Sequence, residues 1–190
     1  MKKQIYILLL LFMTNAMAQE EDAIKRQFDS ALNALHKLEF EALANTLHPD
    51  TLRFFRLRMG AEYEKLSKNY PDDIVKSIVG VNGNPKTSTL SDKQLFVTTC
   101  RNAIKLTPNF IITAPVVVTH GIVRNDEGRA FIVYQGSDKK APEEWSYQIA
   151  PPKVCVFLKH KDVWLMETSF LADIVPMLWK RVVARLPKQN

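Results

Sequence analysis

The chain has 190 residues, of which 46% are apolar and 24% charged, with 6 glycines, 10 prolines and no repeating period. These proportions exclude a disordered, collagen-like or solenoid protein and predict an ordinary globular domain. The formal net charge of +6 is moderate, and the basic residues form no focused stripe, which argues against nucleic-acid binding.

The first 18 residues have the three parts of a secretory signal peptide. Lys2 and Lys3 form a positive start, residues 5–13 are an unbroken apolar run, and Ala16-Met17-Ala18 has the small-x-small pattern of a cleavage site. We expect cleavage after Ala18 and release of a single domain, residues 19–190, into the periplasm or the exterior of a bacterium. A retained membrane anchor would need roughly 20 apolar residues, so we expect no stable membrane insertion after cleavage.

Apolar residues at helical spacing predict four helices in the first part of the mature chain. They cover about 24–38, 40–47, 51–66 and 92–107. Asp50 or Thr51 is expected to cap the third helix, for which a strand is the alternative. Residues 69–92 are rich in glycine and proline, which predicts a long loop with one turn of helix at 74–79.

After Pro108 the sequence changes to β-branched and aromatic runs separated by turn signals, which predicts consecutive antiparallel strands. Asp173 is then the expected N-cap of a last helix, with Pro176 in its tolerated first turn. The whole order predicts an α+β domain with helices on one face of a curved sheet. The expected strands are 111–123, 130–135, 154–160 and 163–168, with turns at 125–128 and 161–162, a loop at 136–144 and an irregular or edge piece at 145–149.

Two blocks of the sequence resemble the nuclear transport factor 2-like superfamily (NTF2-like, also called SnoaL-like or cystatin-like cone). The first, residues 31–50, has the opening helix pair and the helix stop Leu47-His48-Pro49-Asp50. The second has the final hairpins, 121–134 and 154–166, with Trp164 just after the last turn. The resemblance implies a cone of N-terminal helices on a curved sheet of about four strands, to which the C-terminal helix is an addition. Members of this superfamily include dehydratases, isomerases and cyclases, and exported members that only bind ligands or partners.

A cone implies a pocket between the helices and the concave sheet face. His120 is expected to share a face with Val116, Val118 and Ile122, where a neutral imidazole could act as a general base. The structural alternative is a histidine satisfied by hydrogen bonds in the core or at an edge.

Glu167 is the carboxylate that could complete an acid–base pair with His120. It alternates with Val163 and Leu165, and an unpaired carboxylate on an inner face would have a raised pKa. The alternatives are pairing with a basic side chain or a place on the outer face. Which face of this strand looks inward stays open, although the resemblance favours the side of Trp164.

Four residues are expected to line the ligand site: Tyr63, His120, Tyr134 and Trp164. The sequence shows no metal-ligand spacing and no phosphate-binding loop, so we expect no metal and no cofactor. Cys100 and Cys155 could pair in an oxidising compartment, in which case chain-entropy arguments make the bridge worth roughly 4 kcal/mol. Two separate buried thiols are the alternative.

Arg53, Arg56 and Arg58 form a basic cluster interleaved with apolar residues. The cluster is either a solvated helix face or a grip for an anionic ligand or partner.

These observations favour an exported, non-catalytic domain that binds a small apolar or anionic molecule, or a protein of the cell envelope. The competing hypotheses are a lyase or isomerase using His120 and a carboxylate, and an immunity or adaptor protein. We also expect a homodimer through the sheet, because both faces of the last strands are apolar, unless the final helix covers the outer face.

Overall fold

A computed structural model describes the backbone of residues 2–107, 116–125, 127–137, 153–168 and 170–184. Side chains are described for 18–107, 121–125, 127–134, 154–168 and 175–184. Within these ranges the chain forms helices and one antiparallel sheet, so the predicted α+β class is confirmed. The elements are α1 (Lys2–His36), α2 (Phe40–Thr46), α3 (Pro49–Ser67), α4 (Asp72–Val79), a 3₁₀ turn (Pro85–Thr87), α5 (Asp92–Leu106), β1 (Val116–Arg124), β2 (Arg129–Ser137), β3 (Lys153–His160), β4 (Val163–Glu167) and α6 (Phe170–Val183).

The helix predicted over 51–66 is present as α3, and the alternative strand is wrong. Its N-cap is His48, whose Nδ1 accepts a hydrogen bond from the amide of Asp50 at 3.3 Å. Pro49 occupies the first helical position, where its missing N–H costs nothing. The predicted caps Asp50 and Thr51 therefore lie one and two residues inside the helix.

The segment predicted as a loop with one turn of helix contains the whole of α4. Asp72 and Asp73 follow Pro71 at its start, and Gly80 ends it with φ +78°. Proline and glycine are turn signals in a sequence, but here Pro71 and Gly80 mark the two boundaries of a helix. Val75, Ile78 and Val79 are buried, so the apolar run forms the contact face of α4.

The four strands form a meander in the order β1-β2-β3-β4. Lys161 and Asp162 both have positive φ, 47° and 65°, which is the geometry of a two-residue hairpin turn between β3 and β4. Residues 111–115 of the first predicted strand, and most of the expected loop and edge piece at 136–149, lie outside the described residues.

The helices cover one face of the sheet, which we call the inner face. Phe28 of α1 lies against Tyr134 of β2, with ring centroids 5.1 Å apart, and against Phe157 of β3 at 6.4 Å. A second aromatic contact, Phe55 to Phe96 at 5.0 Å, joins α3 to α5. The hydrophobic core therefore extends from the sheet through α1 into the helical layer.

The edge strand β4 is tied to the helices through Met166. Leu47 forms an isolated parallel bridge with Met166, and the amide of His48 donates to the carbonyl oxygen of Met166 at 2.9 Å. The junction between α2 and α3 therefore lies along the free side of β4.

Helix α6 differs from its prediction at its start. It begins at Phe170, so Asp173 is not the N-cap, and Pro176 lies inside the helix. The helix packs on α3 and α5, with Leu178 and Trp179 buried. It does not cover the outer face of the sheet. Among the described residues, no helix combines the length and the apolar character that crossing a membrane requires.

Candidate functional site

Strand β4 shows which sheet face looks inward. Trp164 and Met166 are buried against the helices, whereas Val163 and Glu167 are exposed on the opposite, outer face. Of the two places that the sequence left open for Glu167, the outer face is the one observed, and the interior position is wrong. The enzymatic hypothesis does not obtain its carboxylate from this residue.

A groove of about 540 Å³ opens where the strands end beside α1, and we call it the strand-end groove. Its apolar wall consists of Ile122 and Trp164, and its charged wall contains Arg124 and Lys159. The remaining lining residues are Glu20, Glu21, Val123, Asn125 and Gly128.

The turn between β1 and β2 positions the charged wall. Asn125 accepts hydrogen bonds through Oδ1 from the amides of Glu127 at 3.2 Å and Arg129 at 3.0 Å. Gly128 adopts φ +73°, and its carbonyl oxygen accepts from the amide of Lys159 at 3.1 Å. Arg124 and Lys159 are thus attached to fixed strand ends.

Glu20 of α1 bridges these two cations. Its Oε1 lies 2.7 Å from Nζ of Lys159, and its Oε2 accepts from Nη1 of Arg124. The hydrogen bond from Lys159 lowers the pKa of Glu20 most, with Arg124 adding to the effect. The same contact raises the pKa of Lys159.

Trp164 connects the apolar and charged walls. Its ring centroid lies 5.8 Å from Nζ of Lys159, within range of a cation–π interaction. The residue is 5% exposed, and its Nε1 has no hydrogen-bond partner. A buried indole N–H without a partner is costly.

The structure does not bring the four predicted ligand-binding residues together. Trp164 lines the groove, while Tyr134 lies on the inner face against Phe28, where burial raises its pKa. Tyr63 is elsewhere: its hydroxyl donates to Asp72 Oδ1 at 2.8 Å, linking α3 to α4.

His120 lies at an irregularity of the sheet. The register with β2 shifts between Thr119 and Gly121, so positions 118 and 122 fall on opposite faces. The expectation that Val116, Val118, His120 and Ile122 share one face is therefore wrong, because strict alternation does not survive a bulge. The side chain of His120 itself lies outside the described side chains.

Cys100 of α5 and Cys155 of β3 are both free and buried. The disulfide that the sequence left open is not formed. Burial raises the pKa of Cys155 to about 12 and that of Cys100 as well, so both are inert thiols at neutral pH. Across the described residues, no cluster of His, Cys, Asp and Glu could hold a metal ion.

The basic cluster has a structural role at Arg56, which the sequence did not predict. Its guanidinium is 15% exposed and pairs with Asp92. Arg58 lies 3.6 Å from Glu62 one turn later, and Arg53 is exposed. The hypothesis of a solvated face therefore holds for Arg53 but not for Arg56.

Three residues of the groove were missed by the sequence analysis: Glu20, Arg124 and Lys159. Glu20 follows the predicted cleavage site, and the two cations each stand next to a predicted turn. The sequence therefore shows charged residues near two turns. Only the strand register shows that the two turns lie at the same end of the sheet, where Arg124 and Lys159 both contact Glu20 of α1. No family model matches this chain, and comparisons with curated proteins and with solved structures give no significant match.

Proposed function

We propose that this chain is an exported, non-catalytic domain of NTF2-like form that binds a small apolar molecule in the strand-end groove. One observation carries the proposal: Ile122 of β1 and Trp164 of β4, two apolar residues of the inner face, both line a groove of about 540 Å³. Ligand sites in proteins commonly have volumes of about 300 to 1,000 Å³ and mostly apolar walls.

The NTF2-like form is supported by where the two resembling blocks lie. The first block falls on α1, α2 and the start of α3, and the second falls on the meander of four strands. Helices on one face of an antiparallel meander are what the resemblance implies. Helices α4 and α6 are additions to that plan.

Export is supported by the residues after the predicted cleavage site. Glu20, Glu21 and Asp22 would form the first turn of α1 in a chain that begins at Gln19. Acidic residues there interact favourably with the helix dipole, by about 0.3–1 kcal/mol each. Mass spectrometry of the protein from a bacterial host's periplasm should give a chain starting at Gln19, and recovery of only the intact chain in the membrane fraction would contradict export.

The binding proposal is tested by isothermal titration of residues 19–190 with decan-1-ol, a neutral apolar probe. Ile122→Asn should weaken binding about fivefold, because ~1 kcal/mol of apolar contact is lost. The matched control is Leu165→Asn, since Leu165 is also a partly buried aliphatic residue of the sheet but lies on the outer face, outside the groove. No heat of binding in the wild type, or equal loss in both variants, would contradict the proposal.

A second candidate function is recognition of a protein through the outer sheet face. Val123, Val154 and Val163 on this face are each about half exposed, and α6 packs elsewhere. Contiguous exposed apolar surface commonly marks an interaction site. We propose a second copy of this chain as the occupant, because both copies would offer the same apolar face with few charges, as a two-fold interface requires.

A further inference from the structure

The Arg124–Lys159 pair is spaced to hold one carboxylate. Each cation contacts a different oxygen of Glu20, at 2.7 Å in the case of Lys159. Such two-point, charge-assisted binding is among the strongest ways in which proteins hold a carboxylate. The two cations therefore define a position for an anion at the mouth of the strand-end groove. In this structure the carboxylate of Glu20 occupies that position.

Arg124 depends on an anion more than Glu20 depends on Arg124. The side chain of Arg124 is 16% exposed, against 39% for Glu20. A guanidinium withdrawn from water requires a partner that compensates for the lost hydration. If Glu20 moved away, the site would need another anion.

Glu20 is weakly anchored compared with its partners. Residues 18, 19, 21 and 22 are exposed, and Ile24 is the first buried residue among the described side chains of α1. After the proposed cleavage Glu20 would be the second residue of the chain, at a helix end of the kind that frays easily. Arg124 and Lys159, in contrast, are fixed in paired strands. Replacement of the Glu20 carboxylate by another would leave the core contacts of α1 intact.

We propose that the ligand is an apolar carboxylic acid, whose carboxylate displaces that of Glu20 from Arg124 and Lys159 while its tail lies on Ile122 and Trp164. This inference rests on the proposed function and specifies its ligand class. It assigns Glu20 as an internal competitor: removal of its carboxylate strengthens acid binding, whereas removal of an ordinary contact residue weakens it.

The experiment compares decanoic acid with decan-1-ol at pH 7 by isothermal titration of residues 19–190. Glu20→Gln and Glu20→Ala should each bind the acid about tenfold more tightly and leave alcohol binding unchanged. Glu21→Gln is the control, because it removes the same charge from an exposed position in the groove that contacts neither cation; it should change acid binding less than twofold. Arg124→Gln should weaken acid binding at least tenfold without affecting the alcohol.

The outcomes separate the two proposals. If both probes bind but the Glu20 variants bind the acid equally well or less tightly than the wild type, displacement is wrong and groove binding stands. If neither probe binds the wild type and the Glu20 variants, groove binding itself is wrong. Melting curves followed by circular dichroism establish that each variant is folded before it is titrated.

Discussion

The guanidinium of Arg56 donates from Nη1 to the carbonyl oxygen of Pro85 at 2.8 Å, which joins the middle of α3 to the 3₁₀ turn. The same nitrogen donates to the carbonyl oxygen of Ser88 at 3.1 Å, and Nη2 donates to that of Leu90. With Asp92 as its ion partner, one side chain satisfies three carbonyl groups of the connection between α4 and α5. Arg56 thereby attaches this connection to α3.

Replacement of Arg56 by alanine should lower the free energy of unfolding by about 3 kcal/mol, because partly buried carbonyl groups lose charged donors. Arg56→Lys keeps the charge but not the planar fork of donors, so it should recover less than half of that loss. Urea denaturation measures both values. Arg53→Ala, on an exposed position of the same helix, is the control and should change stability by less than about 0.5 kcal/mol. Equal effects at the two positions would refute the structural role of Arg56.

The N-terminus of α5 is closed by a capping box between Ser91 and Gln94. Ser91 Oγ accepts from the amide of Gln94 at 3.2 Å, and the amide of Ser91 donates to Gln94 Oε1 at 2.9 Å. Ser91→Ala should destabilise the protein by about 1 kcal/mol. Ser77→Ala, at an exposed interior position of α4, should be neutral or slightly stabilising. Thermal denaturation of both variants tests this prediction. An unchanged melting temperature in Ser91→Ala would show that the capping box contributes nothing to stability.

The outer sheet face should mediate dimerisation. Wild-type residues 19–190 should have the mass of a dimer in light scattering at micromolar concentration, and Val154→Lys should have that of a monomer. Val154 is 58% exposed, and a lysine there would place a charge in the apolar interface. Leu57→Lys alters a similarly exposed residue on α3, 51% exposed, and should stay dimeric. A monomeric wild type would disprove the interface. The apolar residues of this face are Val123, Phe131, Val133, Val154, Val156, Leu158, Val163 and Leu165.

The two thiols should react slowly with a disulfide probe in the native protein at pH 8, and both should react at once in denaturant. Burial holds the pKa of Cys155 at about 12 in the folded state, against 9.0 for an unperturbed thiol. Between pH 9 and pH 12 the thiol of Cys155 is therefore protonated in the folded protein and loses its proton on unfolding. The free energy of unfolding is unaffected by this thiol below pH 9 and falls as the pH rises towards 12. The unfolding free energy of Cys100→Ala/Cys155→Ala should fall less steeply over this range. Fast labelling of the native protein would contradict the burial of these thiols.

The local sequence pattern was sufficient to predict an element where a single physical rule determines that element. The period of apolar residues predicted α3, α5 and the part of α1 after residue 24, and the Lys161-Asp162 pair predicted the hairpin before Trp164. At α4 it predicted only one turn of helix within a loop, because Pro71 and Gly80 suit helix boundaries as well as loops. It failed at His120, because one bulge shifts the face of every residue on the far side.

The groove depended on information that no local pattern contains. Glu20, Arg124 and Lys159 are far apart in the sequence, and each alone is an ordinary surface charge. Their meeting depends on the register of β1, β2 and β3 and on where α1 crosses the strand ends. Trp164 could be predicted as a lining residue because the resemblance includes a tryptophan just after the last turn, which is visible in the sequence without its neighbours.

The contact of Leu47 and His48 with Met166 has a further effect on how copies of this protein meet. A sheet edge with unpaired amides and carbonyls invites strands from other molecules to add on and extend it into aggregates. At β4 part of that hydrogen-bonding capacity is already used by the link between α2 and α3. Strand addition at the β4 edge is therefore obstructed at Met166.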